Sequence, residues 1–307
     1  MAMQSSGAIS LNQVTLELRN TSLSTISMND TRARLLSKKS SGQVSFSDFY
    51  GRNYDNQGQS QYTTVGTHSW TCPSGVTQVS AVCIGGGGGG YHSGNAGPGG
   101  GGGGLGWKNN ISVTPGSTYT VVVGSAGVGN DYGLVNGGDS YFINTSTVKG
   151  GGGQSPNFSS GTAYGGNYVG DGGGSGGNMW HGDPTAGGGG AGAGGYTANG
   201  NTNAGGSGGA GGAGDSQGLG GGGVSIFGQG ASGASYGCYN CPVGGGGSGG
   251  QSGQGKNGGL YGGGGGGADS SGSSGYGAQG AVRIIWGETR AFPATNTGNV
   301  TAGEVYT

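Results

Sequence analysis

One stretch of this chain, residues 85–280, constrains the fold more than any other feature. It holds 80 of the 89 glycines, together with three lysines and six aspartates. Such a composition is typical of a flexible linker, because glycine loses more conformational freedom on folding than any other residue. Here, however, the glycine runs are bracketed by hydrophobic segments with the character of β-strands. We therefore expect the stretch to be folded.

Few regular structures accept this much glycine. Collagen is excluded, because the stretch lacks a Gly-X-Y period and the whole chain has only seven prolines. An α-helix is excluded, because each interior glycine costs about 1 kcal/mol relative to alanine. The extended helix with three residues per turn remains, and it has no internal hydrogen bonds. The sequence therefore predicts a stack of polyglycine II helices that bond backbone to backbone, with a core made of main chain.

A β framework is predicted around this stretch. Six segments rich in Val, Ile, Tyr and Trp are bounded by turn residues, at 67–70, 76–84, 111–113, 117–123, 140–143 and 281–286. If the last segment pairs with the early ones, the glycine-rich insert starts and ends at the same sheet. We predict a mainly β fold, with a β-sandwich-like base over 67–290 that carries the polyglycine stack and an extended tail at 291–307.

The first 53 residues contain an internal repeat. An apolar-Ser-apolar triplet followed by Asn or Ser recurs within 7–12, 24–29 and 42–47. The alternation predicts a short strand, and the following Asn or Ser predicts a helix N-cap. We predict a small strand-turn module that docks on a partner or on its own copies, joined by a polar linker at 54–66. A cap on the glycine-rich region is the alternative. The candidate docking residues are Ile9, Leu11, Ile26, Met28, Val44 and Phe46.

Charge and hydropathy narrow the classes of partner. The net charge is −1 and charged residues are 7% of the chain, so we expect no nucleic-acid partner. The N-terminus lacks the basic and apolar regions of a signal peptide, and no apolar run approaches the about 20 residues of a membrane span. We expect a protein made in the cytoplasm without a signal peptide.

Two parts of the chain resemble virion structural proteins of marine, cyanophage-like tailed phages. The segments that carry the resemblance are Ile-Ser-Leu-Asn at 9–12, Ile-Ser-Met-Asn-Asp-Thr at 26–31, Val-Ser-Phe-Ser-Asp-Phe-Tyr-Gly at 44–51, Ser-Trp-Thr-Cys-Pro-Ser-Gly-Val-Thr at 69–77, Gly-Leu-Gly-Trp-Lys-Asn-Asn at 104–110, Gly-Ala-Val-Arg-Ile-Ile-Trp-Gly at 280–287 and Arg-Ala-Phe-Pro at 290–293. The layout is also similar to tail-fibre-tip adhesins of T-even-like phages, in which polyglycine helices present loops to a host receptor.

Catalytic and metal-binding patterns are weak. Matches to G-x-G-x-x-G are trivial in a glycine tract, and the three histidines form no helical pair. We expect no enzymatic activity, no cofactor and no metal site. Cys72, Cys83, Cys238 and Cys241 do not have a standard zinc spacing. A disulfide between Cys238 and Cys241 is one option for a particle outside the reducing cytoplasm, and Cys83 is expected to be a buried apolar residue.

Bulky residues interrupt the glycine background in small groups. We expect them at turns or on the outer faces, because a polyglycine stack has no room for them. Aromatic faces flanked by Asn, Asp and Ser suit a polysaccharide or protein receptor. Alternatively, they cover the flanks of the stack or fill interfaces between subunits. The candidate receptor-binding residues are Tyr91, His92, Tyr132, Tyr164, Tyr168, Met179, Trp180, His181, Tyr196 and Tyr239.

Taken together, the residues and the resemblance imply a phage tail-fibre or tail-tip adhesin that works in the virion tail. Its N-terminal module would bind other virion proteins, and its glycine-rich region would bind a host surface polysaccharide or outer-membrane protein. A homo-oligomer is expected, with a trimer as one option. Two alternatives stay open: a non-adhesive tail, collar or capsid-decoration component, and a cellular extracellular filament or matrix protein.

Overall fold

The structure is a computed structural model in which the chain forms two compact units, Met1–Gln57 and Gly58–Thr307. The residues that it describes are 3–17, 27–29, 31–39, 41–51, 57–92, 97–129, 135–156, 161–180, 189–200, 223–228, 257–267, 273–287 and 290–293.

The first unit is helical in its described residues and contains no strand there. Its elements are α1 Leu11–Glu17, α2 Thr31–Ser37 and a 3-10 turn at Phe46–Phe49. These elements enclose a small apolar cluster that consists of Met3, Val14, Ala33, Leu36, Val44 and Phe49, with Ile9 and Met28 packed against it.

The strands predicted for the N-terminal repeat are therefore wrong within the described residues. The serine of the triplet starts a helical turn instead of lying in a strand. The N–H of Ser10 donates to Gln13 Oε1 at 2.7 Å, and the N–H of Gln13 donates back to Ser10 Oγ at 3.3 Å, which is a capping box. The N–H of Ser45 likewise donates to Asp48 Oδ2 at 2.7 Å. This contact, together with the Lys39 ammonium and the Ser45 hydroxyl, lowers the pKa of Asp48 to about 2. The Ser-x-x-Gln and Ser-x-x-Asp spacings therefore favour a helical turn, although the apolar alternation predicted a strand.

The second unit is built on β-strands, as predicted. They are β1 Gly58–Tyr62, β2 Gly66–Thr71, β3 Gln78–Ile84, β4 Leu105–Ser112, β5 Thr118–Val123, β6 Ser140–Phe142, β7 Val148–Gly150, β8 Thr162–Ala163, β9 Tyr168–Val169, β10 Gly172–Gly174, β11 Met179–Trp180 and β12 Ala281–Trp286. Among the described residues, one antiparallel sheet has the order β1-β12-β3-β4-β10 and another has the order β2-β5-β6-β7-β9, and β11 pairs with β8. The pairing of Ile84 with Ala281 confirms that the glycine-rich insert starts and ends at one sheet.

The two large sheets share one apolar core. Trp70 from β2 lies 5.6 Å from Phe142 of β6 and 5.7 Å from Trp286 of β12, measured between ring centroids. Val121 of β5 and Val282 of β12 belong to the same buried cluster. Alternating β-branched and aromatic residues on facing strands explain this core, because successive side chains of a strand point to opposite faces.

The linker predicted at 54–66 is wrong for its second half, because β1 lies inside it. Residues 58–62 pair with β12, although their side chains are polar. The buried polar groups are satisfied inside the sheet: Gln59 Oε1 accepts from Arg283 Nε at 2.9 Å, and Ser60 Oγ accepts from Trp70 Nε1 at 3.2 Å. A polar strand is thus stable where its side chains bond to buried donors.

The glycine run 85–90, which follows β3, is buried and belongs to no strand. The hydrogen-bond partners of its N–H groups repeat every three residues. The first and fourth donate to carbonyls of segment 101–104, and the third and sixth donate to carbonyls of segment 275–278. The second and fifth donate to the carbonyl of Gly138 and to Ser155 Oγ. Two of the three directions around the run therefore each face one neighbouring segment, and the third faces Gly138 and Ser155.

The absent side chains show the same period. A Cβ placed on the first and fourth residues of the run would meet the carbonyls of segment 151–154, and one on the third and sixth would meet those of segment 263–266. On the second and fifth residues it would meet the backbone of segment 125–129. The nearest atoms are only 2.0 to 2.3 Å away, so glycine alone permits this approach. Backbone surrounds the run on all sides.

Candidate functional site

The glycine segments extend away from the strands and meet again at a common far end. The N–H of Gly90 donates to the carbonyl of Gly275 at 2.9 Å, and a Cβ on Gly129 would lie 2.5 Å from that same carbonyl oxygen. We call residues 90–92, 97–98, 129, 266–267 and 275 the far end. Gly90 is six residues beyond β3, which corresponds to roughly 20 Å of extended backbone.

Tyr91 and His92 lie at the far end and are half-buried. The N–H of Tyr91 donates to the carbonyl of Pro98 at 2.8 Å, which fixes the backbone where the chain starts to turn back. Tyr91 and His92 follow the buried run 85–90 and lie seven and eight residues beyond the last residue of β3.

Tyr164 and Tyr168 lie on the flank, at different heights. Tyr164 is 56% exposed, and its carbonyl accepts from Gln154 N–H, partway to the far end. Tyr168 is in β9, where it pairs with Gly150 close to the sheets. The candidates are thus spread along the glycine region and do not form a single patch.

Tyr196 and Met179 are buried, which corrects their assignment to a receptor surface. Tyr196 is 1% exposed and packs on the outer face of the β12 sheet, with its hydroxyl donating to the Ser225 carbonyl at 3.0 Å. Met179 packs between Ala163 and Ala191. The expectation that a glycine stack excludes bulky residues failed here, because the sheet offers an apolar face and alanines leave space beside them.

Asparagine side chains bond to main-chain N–H groups at the edge of the glycine region. Asn136, Asn178, Asn199 and Asn257 each accept one through Oδ1, from Ser155, Gly165, Ser175 and Tyr276 respectively, at 2.8 to 2.9 Å. These side-chain oxygens accept hydrogen bonds from main-chain N–H groups that do not bond to a carbonyl of the described neighbouring segments. Their role is therefore structural, and the side-chain oxygen of Asn178 is already bonded within the fold. The available sequence signal was an Asn adjoining a glycine run.

A family model described as a glycine-rich domain matches residues 63–287. The chain belongs to this family. The matched range begins after β1 and ends just beyond β12, so the glycine-rich domain includes β2 to β12 together with the glycine segments that they carry. A search of curated proteins found no match for the chain.

A buried cation in the glycine-rich domain was missed by sequence reasoning. Arg283 of β12 is fully buried, with Nη1 donating to the Ile226 carbonyl at 3.3 Å and Cζ lying 4.8 Å from the Phe227 ring centroid. Burial, and secondarily the charge of Arg290, lowers the pKa of Arg283 to about 10. Its Nη2 has no partner among the described residues. These contacts attach segment 223–228 to the sheet.

Several candidates lie outside the described residues of the glycine-rich domain. They are Tyr132, His181, Tyr239 and the disulfide candidates Cys238 and Cys241, together with the side chain of Trp180. Cys72 and Cys83 are free and buried, and burial raises the pKa of both thiols. Within the described ranges, no group of three His, Cys, Asp or Glu side chains is placed to hold a metal ion.

The docking candidates of the first unit divide between core and surface. Val44 is part of the apolar cluster, so it is not available to a partner, and Ile9 and Met28 pack against that cluster. Leu11 and Phe46 are 39% and 42% exposed. Ile26 lies outside the described residues. Among the described residues of the whole chain, no helix has the length and hydrophobicity needed to cross a membrane.

Proposed function

We propose that the glycine segments are polyglycine II helices packed side by side. The support is the three-residue period of both the hydrogen bonds and the Cβ contacts around residues 85–90. A helix with three residues per turn directs every third N–H the same way. Such a bundle is rigid, because each segment is bonded to several neighbours.

We further propose that the protein is a structural component of a phage tail, in which the glycine-rich domain is the adhesin of the fibre or its tip. The observation that carries the proposal is the position of Tyr91 and His92 at the far end, seven and eight residues beyond the last residue of β3. The resemblance of 9–12, 26–31 and 280–287 to virion proteins supports the same assignment. The role is binding, without catalysis.

The physical argument for adhesion rests on preorganisation. Aromatic side chains offer a large contact area and lose few rotamers on binding. A main-chain bundle holds them with little freedom to lose, which reduces the entropic cost of association. A host polysaccharide is a suitable partner, since sugar rings stack on aromatic faces; an outer-membrane protein is the other class considered.

The first unit is the proposed virion-docking module. Leu11 and Phe46 are the exposed apolar side chains among its docking candidates that the structure describes. Residues 1–53 contain six Lys and Arg against three Asp and Glu. Another virion protein with an acidic surface would match this charge, and copies of the chain would assemble as a homo-oligomer around it.

The test is binding of fluorescently labelled full-length protein to intact cells of a permissive host. The proposal predicts saturable, host-restricted binding that the phage competes for, and a large loss of binding in the double variant Tyr91→Ala, His92→Ala. Tyr168 is an exposed tyrosine within β9, and the proposal places it outside the receptor contact, so Tyr168→Ala is the matched control and should bind normally. Absence of binding by folded wild-type protein would favour the non-adhesive structural role instead.

A further inference from the structure

The sequence contains three Asn-Gly dipeptides, and all three occupy the same structural situation. They are 136–137, 199–200 and 257–258, and each lies at the edge of the glycine-rich domain. Asn-Gly is the strongest short hairpin signal in sequences, usually with positive φ at the glycine. None of these three glycines has a positive φ, so a hairpin turn of this type does not explain the Asn-Gly sequence at these positions.

Two of the dipeptides each form two hydrogen bonds with a single residue of a neighbouring segment. Asn199 Oδ1 accepts from the N–H of Ser175 at 2.9 Å, while Gly200 N–H donates to the Ser175 carbonyl at 2.7 Å. At the second dipeptide, Asn257 Oδ1 accepts from the N–H of Tyr276 at 2.9 Å, and Gly258 N–H donates to the Tyr276 carbonyl at 2.9 Å.

The third dipeptide forms hydrogen bonds with two nearby residues of one segment. Asn136 Oδ1 accepts from the N–H of Ser155 at 2.9 Å, and Gly137 N–H donates to the Gly153 carbonyl at 2.8 Å. We call this arrangement, in which the amide oxygen and the following N–H bond to the same neighbouring segment, the Asn-Gly clamp. The asparagine is exposed to solvent in all three cases.

The two groups held by the clamp are those that react in asparagine deamidation. In that reaction the glycine backbone nitrogen loses its proton and attacks the side-chain Cγ of the asparagine. The new N–Cγ bond closes a succinimide and expels the side-chain nitrogen as ammonia. Water then opens the ring to aspartate or isoaspartate. Asn-Gly is the fastest sequence for this chemistry, because glycine has no Cβ to obstruct ring closure.

We propose that Asn136, Asn199 and Asn257 are deamidation sites that the fold keeps unreactive. The nucleophile's N–H is engaged with a carbonyl, and the amide oxygen is fixed by a second bond, so the ring closes only after the clamp opens. Ring closure also removes the glycine N–H and therefore one bond of the clamp. Hydrolysis to aspartate restores the glycine N–H and keeps an oxygen acceptor, whereas hydrolysis to isoaspartate adds a methylene to the backbone and blocks re-closure of the clamp. The clamp and its reactivity do not depend on host binding.

The test compares deamidation in folded and unfolded full-length protein. Both samples are incubated in mildly alkaline buffer, one of them in urea sufficient to unfold it, and peptides are mapped by mass spectrometry that separates aspartate from isoaspartate. Two hydrogen bonds must open before reaction, so we expect deamidation of the folded protein to be at least about thirtyfold slower at each site. Equal rates in the two samples, with folding verified by circular dichroism, would overturn the proposal.

Asn178 is the matched internal control. It accepts a backbone N–H in the same way but precedes Met179, whose side chain hinders ring closure, so it should stay unmodified in both samples. A second measurement tests the geometry itself. Asn257→Asp keeps an oxygen acceptor and should melt like the wild type, whereas Asn257→Ala should expose the Tyr276 N–H to faster hydrogen exchange. Unchanged exchange in Asn257→Ala would contradict the clamp.

Discussion

The paired sheets and the glycine segments solve the problem of burial in opposite ways. Between the sheets, the interior is filled by side chains such as Trp70, Phe142 and Trp286. Around residues 85–90, the interior is filled by peptide groups, and a Cβ added to any of these glycines would first meet backbone atoms of a neighbouring segment. A side-chain core has rotamers that adjust to a change of volume. A main-chain core has none.

The two regions also differ in what stabilises them. Burial of apolar area contributes about 25 cal/mol per Å² in the sheets. In the glycine segments the favourable contributions are hydrogen bonds, each with a net value of about 1 kcal/mol, set against the large conformational entropy of glycine. The segments are attached to strands at their inner ends, as with 85–90 after β3 and 99–104 before β4. We infer that the sheets set the alignment on which the bundle depends.

The largest effect is expected from a side chain placed inside the main-chain core. In Gly87→Val, the new Cβ would lie 2.1 Å from the carbonyl oxygen of Gly263. Overpacking usually costs about 1 to 3 kcal/mol, and here the cost should be greater because the obstructing atoms are backbone on several sides. We expect loss of the folded glycine region, measured as lost protection of its amides in hydrogen exchange.

Gly116→Asn is the control for Gly87→Val. Gly116 has a φ of +79° in a turn with open space around it, and asparagine tolerates that conformation better than other non-glycine residues. It should fold and melt almost normally. If Gly87→Val kept wild-type amide protection, the close approach of segments, and with it the polyglycine II proposal, would be contradicted.

A cavity in the side-chain core should be costly but tolerated. Phe142→Ala removes a fully buried ring that packs edge-on against Trp70, and we expect the free energy of unfolding to fall by about 3 kcal/mol. Chemical denaturation followed by tryptophan fluorescence would measure it. Phe142→Leu fills most of the space and should recover much of the loss. A variant that unfolds as completely as Gly87→Val would remove the contrast between the two cores.

The sequence was sufficient for the parts of the fold that depend on side-chain pattern. The strands at 67–70, 76–84, 117–123 and 281–286 were predicted from β-branched and aromatic residues, and the structure has a strand at each of these places. The sequence left the pairing of 281–286 with the early segments as a condition, and the structure supplies the partner, because β12 pairs antiparallel with β3. Burial of Cys83 was also predicted, because it lies within a hydrophobic strand.

The parts that failed depend on partners far away in the chain. Tyr196 was assigned to a surface because its neighbours are glycines, but it packs on a sheet face formed by Val82 and Ile285. β1 was read as a linker because the donors that satisfy Gln59 and Ser60 come from Arg283 and Trp70. Local composition does not report such contacts.

An intermediate effect is expected where a side chain serves the main-chain core. Asn178→Ala removes the acceptor for the Gly165 N–H and should lower the free energy of unfolding by about 1 kcal/mol. Asn178→Asp retains an oxygen at the same place and should be close to wild type in thermal melting. Equal loss in both variants would mean that packing, and not the hydrogen bond, accounts for the role of Asn178.

The smallest effect is expected from an aromatic side chain that the main-chain core supports without burying. Tyr164 is 56% exposed and is held through its backbone carbonyl, so Tyr164→Ala should change the free energy of unfolding by less than about 0.5 kcal/mol. Its buried counterpart is Tyr196, and Tyr196→Ala should clearly lower the melting temperature under the same conditions. Similar melting of the two variants would show that buried and exposed tyrosines of the glycine region contribute equally to its stability, which would contradict this prediction. A clear difference would mean that the fold does not require the Tyr164 side chain. Its identity could then be determined by binding to a receptor.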